Sequence, residues 1–156
     1  MEYERTREVL AAFEEHGVGY VIIGAVALSL QGLARATQDL DVFVAPEKGN
    51  IDRLKTALKA VFDDPHLDEI TAEDLLGDYP AVQYVPPEGS FHIDILTRLG
   101  EVFQFEDLDS ERVDFDGLEV TVVTPKTLYR MKKATVRPQD RADAERLRVR
   151  FGFEAD

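Results

Sequence analysis

Asp39 and Asp41 stand two residues apart at the head of an apolar run spanning 39–44. Asp is depleted in strands. Strand side chains alternate, so these two carboxylates share one face while Leu40, Val42 and Val44 take the other. The run 90–96 repeats the pattern: Phe91, Ile93 and Ile95 face one way, His92 and Asp94 the other. If the two strands are neighbours, Asp39, Asp41 and Asp94 converge on one patch. Close carboxylates repel each other unless cations neutralise them, and hard oxygen donors select Mg²⁺ or Mn²⁺. Such a cluster suits two-metal phosphoryl or nucleotidyl transfer. An isolated Asp-x-Asp is a short motif, and by itself it reads more readily as a solvent-exposed sheet edge.

A second feature lies upstream. The β-branched and aromatic run 18–24 predicts a central strand, and 25–32 follows as a short buried helix with no turn residues between. Backbone N–H groups at the start of that helix, beside Gly24 and Ala25, form a candidate phosphate cradle. Gly24 permits a close approach; tight strand-to-helix packing is the plainer explanation for a glycine there.

The other elements frame these two. Amphipathic helices are predicted over 2–16, ended by Gly17, and over 47–63. The stretch 64–80 is acidic and turn-rich, with a helical turn near 72–77. Strands at 81–85 and 90–96 flank Pro86-Pro87-Glu88-Gly89 as a hairpin, and 101–110 reads as acidic loop or short helix. Asp116-Gly117 between alternating apolar runs predicts a tight hairpin over 112–124. Thr124-Pro125 caps a helix over 125–134, and Pro138 opens a last one to about 151. Early alternation of helices and strands followed by hairpins predicts an α/β (α+β) fold, a mixed sheet flanked by helices, in a single domain over 1–156.

Composition narrows the functions. The 156 residues carry 18 Lys+Arg against 31 Asp+Glu, a net charge of −13, with no cysteine. Disulfides, thiolate metal sites and Cys nucleophiles are excluded. The longest apolar run, 21–30, is short of the about 20 residues that span a bilayer, and the N-terminal segment is acidic and helical rather than signal-like. The expectation is a cytoplasmic protein without membrane association. The charge is uneven: residues 126–150 sum to +6 and the remainder to −19. A generic nucleic-acid binder is excluded, but a basic C-terminal helix pair can meet an RNA backbone or a triphosphate.

The segment VIIGAVALSLQGLARATQDLDVFV, with Asp94 downstream, resembles the signature of polymerase-beta-type nucleotidyltransferases. The spelling Arg35-x-Thr37-x-Asp39-x-Asp41 is similar to AbiEii-like toxin nucleotidyltransferases. The resemblance implies the nucleotidyltransferase-type mixed sheet, with Asp39, Asp41 and Asp94 holding Mg²⁺ or Mn²⁺ and Asp94 helping to activate the attacking hydroxyl. It implies that Gly24 and Ala25 hold the phosphates of an NTP, with Arg35 on a phosphate oxygen. The C-terminal MKKATVRPQDRADAERL is similar to the Lys…Arg-Pro-Lys-Asp…Asp segment of these small domains. Lys132 would then face phosphates as a point charge, while Asp140 and Asp143 match that segment's acidic pair but read more readily as helix-dipole partners or caps. Ala25 stands in place of a Gly or Ser, and Gln139 in place of a Lys. The implied activity is transfer of an NMP from an NTP to a hydroxyl on an RNA 3′ end or a protein side chain. A toxin–antitoxin setting and an antitoxin partner come with it. Two alternatives stay open: an inactive module of the same fold that binds nucleotide or a partner protein, and an Asp-x-Asp glycosyltransferase, which normally needs a longer chain.

Overall fold

A computed structural model describes residues 3–33, 39–87, 91–99 and 103–154. Helix α1 (Tyr3–Glu15) buries Val9, Leu10, Ala12 and Phe13 on one face. Gly17, at φ +65°, turns the chain out of it, in the left-handed region open to glycine. Strand β1 (Tyr20–Ile23) is buried at all four positions because it runs in mid-sheet. It passes directly into α2 (Gly24–Leu30), and β2 (Asp39–Val44) returns antiparallel beside it. Helix α3 (Lys48–Val61) follows, then a 3₁₀ turn at Pro65–Glu69, α4 (Ala72–Leu76) and the edge strand β3 (Ala81–Tyr84).

Strand β4 (His92–Leu96) pairs antiparallel with β3 and parallel with β2. The expected hairpin is therefore present, and residues 88–90 of its turn lie outside the described residues. A two-stranded ribbon, β5 (Arg98–Leu99) with β6 (Phe103–Gln104), was not expected from the sequence; at two residues per strand it has no legible period. Strands β7 (Ser110–Phe115) and β8 (Leu118–Val123) form the expected tight hairpin. Asp116 at φ +50° and Gly117 at φ +86° supply the two left-handed positions that such a turn demands. Helices α5 (Pro125–Lys133) and α6 (Pro138–Phe151) close the chain, with the Thr124 hydroxyl accepting from the Thr127 N–H at the start of α5.

The main sheet runs β3-β4-β2-β1-β8-β7 and is mixed: β2–β4 and β1–β8 are parallel, the other pairs antiparallel. Helix α1 packs on α3, α2 lies against β1, β2 and β8, and α5 lies along α6. The fold class expected from the sequence, a mixed α/β sheet flanked by helices in a single domain, is the one observed.

Buried polar groups fix the frame around the site. Asn50, 1% exposed, donates to the Gly19 and Ala45 carbonyls at 3.0 Å each and accepts from the Gly19 N–H at 2.7 Å. It ties the start of β1 to the end of β2. The Tyr20 hydroxyl donates to Glu14, and the Arg112 guanidinium grips both Glu14 oxygens at 2.9 and 3.0 Å, joining α1, β1 and β7. The acidic stretch after α3 is anchored too: the Asp64 carboxylate accepts from the Tyr84 hydroxyl at 2.8 Å and from the His66 N–H.

Candidate active site

The parallel pairing of β2 with β4 settles which carboxylates meet. In its register Asp41 lies opposite Asp94, and Asp39 opposite His92. Leu40, Val42, Ile93 and Ile95 are fully buried on the other face, while Asp39, Asp41, His92 and Asp94 are only partly covered. A one-residue slip would send all four into the apolar core, so burial of the aliphatic set pins the polar set in place.

Asp41 and Asp94 share a side-chain hydrogen bond. Two carboxyl groups can do so only when one of them carries a proton. Burial, that hydrogen bond, and the charges of Asp94 and Asp39 together push the Asp41 carboxyl well above the usual carboxylate range, with Lys132 pulling the other way. Asp39 is paired with His92, Oδ1 to Nδ1 at 3.0 Å, so this histidine serves a neighbouring carboxylate as its shared face suggests. Among the described residues, no three His, Asp or Glu side chains stand grouped as a ready metal cage.

Gly24 has a physical role beyond the two considered from the sequence. Its φ is +71°, and a Cβ built on it would fall directly onto the Asp41 carboxylate. Glycine here leaves the space that the Asp41 side chain fills, at the point where β1 becomes α2.

Gly24, Ala25, Asp39, Asp41 and Lys132 line one cavity of about 260 Å³, with Thr135 and Arg137 at the C-terminal side. Five of the seven candidate residues are thus brought around one space, and Asp94 adjoins it through Asp41. Arg35, with Thr37, lies outside the described residues.

Lys132 is 8% exposed. Its ammonium donates to Asp140 at 3.3 Å and to Asp143 at 3.1 Å, and Asp143 is fully buried. Asp140 does sit in the first turn of α6, yet its side chain makes no cap; it takes Lys132, the Thr135 hydroxyl at 3.0 Å and Arg137 at 3.5 Å. Gln139 donates to the other Asp143 oxygen at 3.2 Å, filling the position where a lysine would have added charge. The two acids therefore neutralise a buried cation, and Asp140 does so from the first turn of α6, where its charge also complements the helix dipole. Their i, i+3 spacing on α6, opposite a lysine on α5, was the signal available in the sequence.

Gln83 was missed. On β3 it lies opposite Asp94, and its side-chain N–H donates to Asp94 Oδ1 at 3.2 Å. Extending the alternation argument from 90–96 to 81–85 would have put it on the same face.

The family model for the nucleotidyl transferase AbiEii toxin of type IV toxin–antitoxin systems matches residues 8–150. The chain belongs to this AbiEii family. It is a nucleotidyltransferase by that membership. No curated relative matches the sequence. Among solved structures, the chain is similar to the lincomycin-bound lincosamide antibiotic adenylyltransferase LnuA, at 12% identity and TM-score 0.59, over 95% of this chain and 96% of that one. It is similar to ANT(2")-Ia in complex with adenylyl-2"-tobramycin at 13% identity and TM-score 0.56, covering 94% and 86%. A nucleotidyltransferase-like antigenic protein from Paracoccidioides brasiliensis aligns at 14% identity and TM-score 0.56, covering 94% and 74%. At such identities the likeness is one of fold, which this AbiEii-family chain shares with them. No helix among the described residues is long and apolar enough to cross a membrane.

Proposed function

We propose that this AbiEii-family protein transfers an NMP from an NTP to a hydroxyl acceptor with the help of Mg²⁺ or Mn²⁺, and that Asp39, Asp41 and Asp94 carry the reaction. The observation behind this reading is the Asp41–Asp94 contact across parallel strands, backed by a glycine that leaves room for the Asp41 carboxylate. A hard divalent cation fits the chemistry of this donor set, because it would replace the proton that lets two carboxyl groups lie together. Asp39, Asp41 and Asp94 would hold it, and when bound it would neutralise charge developing on the transferring phosphoryl group.

The chain's own groups do the rest. Gly24 and Ala25 form the wall against which the triphosphate would lie, and Lys132 sets a positive charge behind it. Asp94 accepts the proton of the attacking hydroxyl at a carboxylate oxygen. A bond then forms from the acceptor's hydroxyl oxygen to the α-phosphorus, and the bond from the α-phosphorus to the bridging oxygen breaks, releasing pyrophosphate. The acceptor we favour is an RNA 3′ end or a protein hydroxyl, with an antitoxin protein as regulator and the cytoplasm, where NTPs are abundant, as the place of work. One domain over 1–156 suffices for this chemistry.

The test is Asp41→Asn, which removes a carboxylate while leaving the volume of the side chain. Its urea midpoint should stay near that of the parent. Its incorporation of α-labelled NTP into total RNA or protein should fall at least a hundredfold. Undiminished transfer would sink the site assignment. A second reading, a catalytically weak module that binds nucleotide, is favoured by Lys132 being held by two acids and by Ala25 lacking a hydroxyl. It predicts NTP binding by calorimetry with no transfer to any acceptor.

A further inference from the structure

The site is asymmetric across the sheet. The cavity walls named for phosphate, Gly24, Ala25 and Lys132, lie on the β1 and α5 side of Asp41. Asp94 lies on the opposite side, one strand further toward the β3 edge, and Gln83 one strand beyond it. Displacement at phosphorus is in line, with the attacking and leaving oxygens on opposite sides. A leaving pyrophosphate on the Gly24 side therefore requires the acceptor to arrive from the β4 and β3 side.

That side ends at an edge strand. Gln83 is exposed on β3, while its amide reaches back to Asp94 at 3.2 Å. The same residue lines an open cleft of about 430 Å³ together with Asp64, His66 and Tyr84, within the range of small-ligand sites. The Asp94 carboxyl is thus held from both flanks, by Asp41 on one strand and Gln83 on the other. Glutamine suits this place. It donates a hydrogen bond without adding charge, whereas Glu would repel Asp94 and Lys would pair it off.

We propose that the acceptor hydroxyl enters across the β3 edge, and that Gln83 is the positioning residue that holds the Asp94 carboxyl toward it. This inference rests on the transfer reaction proposed above and adds the route of the acceptor and a residue with no carboxylate chemistry of its own.

Gln83→Met keeps the length of the side chain and removes the amide, and Gln83→Ala removes both. The assays are urea denaturation, calorimetric binding of an α,β-methylene NTP with Mg²⁺, and steady-state NMP transfer from a mixture of four α-labelled NTPs to water, to total RNA and to total protein. Both variants should unfold at the parental urea midpoint, since the residue is exposed. They should bind the analogue within twofold of the parent. Their kcat should fall about tenfold with KM for NTP unchanged, and Gln83→Asn should recover part of the loss. A kcat within twofold of the parent in Gln83→Met and Gln83→Ala, with Asp94→Asn inactive, overturns the inference and leaves the transfer reaction standing. Analogue binding that weakens in step with kcat also overturns it, since Gln83 would then serve the nucleotide. A parent protein that transfers to none of water, total RNA or total protein overturns both.

Discussion

Replacing Lys132 by Met tests whether the α5–α6 pair is held by charge. The ammonium sits between Asp140 and Asp143 with side-chain exposures of 10%, 12% and 0%. Removing it takes the lysine charge from the fully buried Asp143 carboxylate, to which the neutral Gln139 amide still donates. Breaking one partner out of a buried ion pair costs about 3–5 kcal/mol, a large share of the roughly 5–15 kcal/mol that holds a domain together. At about 2–4 °C per kcal/mol for a chain of this size, melting should fall by about 10 °C. Asp143→Leu alone should cost a comparable amount, because it strands part of the lysine charge. The double variant Lys132→Met, Asp143→Leu should regain most of the loss, as apolar replacements of buried pairs are often near neutral. The measurement is a double-mutant cycle by urea denaturation. A loss under 1 kcal/mol in Lys132→Met, or strictly additive losses in the double variant, would refute the reasoning. Lys132 would then be available to phosphate without a structural duty.

Other substitutions probe the frame. Gly24→Ala forces a left-handed residue at about 1–2 kcal/mol and drives its Cβ into Asp41, so stability should drop by more than 1 kcal/mol and Mg²⁺-dependent nucleotide binding should be lost, both checked on one purified variant. Asn50→Leu leaves the Gly19 N–H without its acceptor, while the Gly19 and Ala45 carbonyls keep the Ala45 and Glu47 N–H groups, and at about 1–3 kcal/mol for a buried unpaired group the urea midpoint should reveal a loss of about that size. Arg112 and Tyr20 hold the Glu14 carboxyl below the usual carboxylate range, Arg112 contributing most against the cost of burial. A lowered acid adds stability above its unfolded value and loses it as the pH falls through its folded value. Glu14→Gln should therefore flatten the acid limb of a stability–pH curve below the ordinary glutamate range and leave a parental slope above pH 6.

Much of the candidate site's geometry was legible because strand alternation is a local rule. Asp39, Asp41 and Asp94 declared their faces through the aliphatic residues between them. What local pattern cannot carry is which strands are neighbours, and the parallel pairing of β2 with β4 decides that across more than fifty positions. The purpose of Gly24 was half visible: strand-to-helix passage signalled a glycine, but the carboxylate that occupies its missing Cβ comes from another strand. The pairing of Asp140 and Asp143 with Lys132 was not visible for the same reason, since their lysine lies on a different helix. Gln83 was overlooked because a lone glutamine on a four-residue edge strand carries no chemistry until its neighbour is known.

The pairing of β2 with β4 has a consequence in time. During synthesis Asp39 and Asp41 emerge well before Asp94, and Lys132 with its two acids later still. The carboxylate patch cannot assemble until the second of its strands has left the ribosome and docked, and the cationic wall waits for the last helices. A nascent or truncated chain therefore carries the parts of the centre without the centre. Under the proposed function, reactivity would be withheld from unfinished copies by topology.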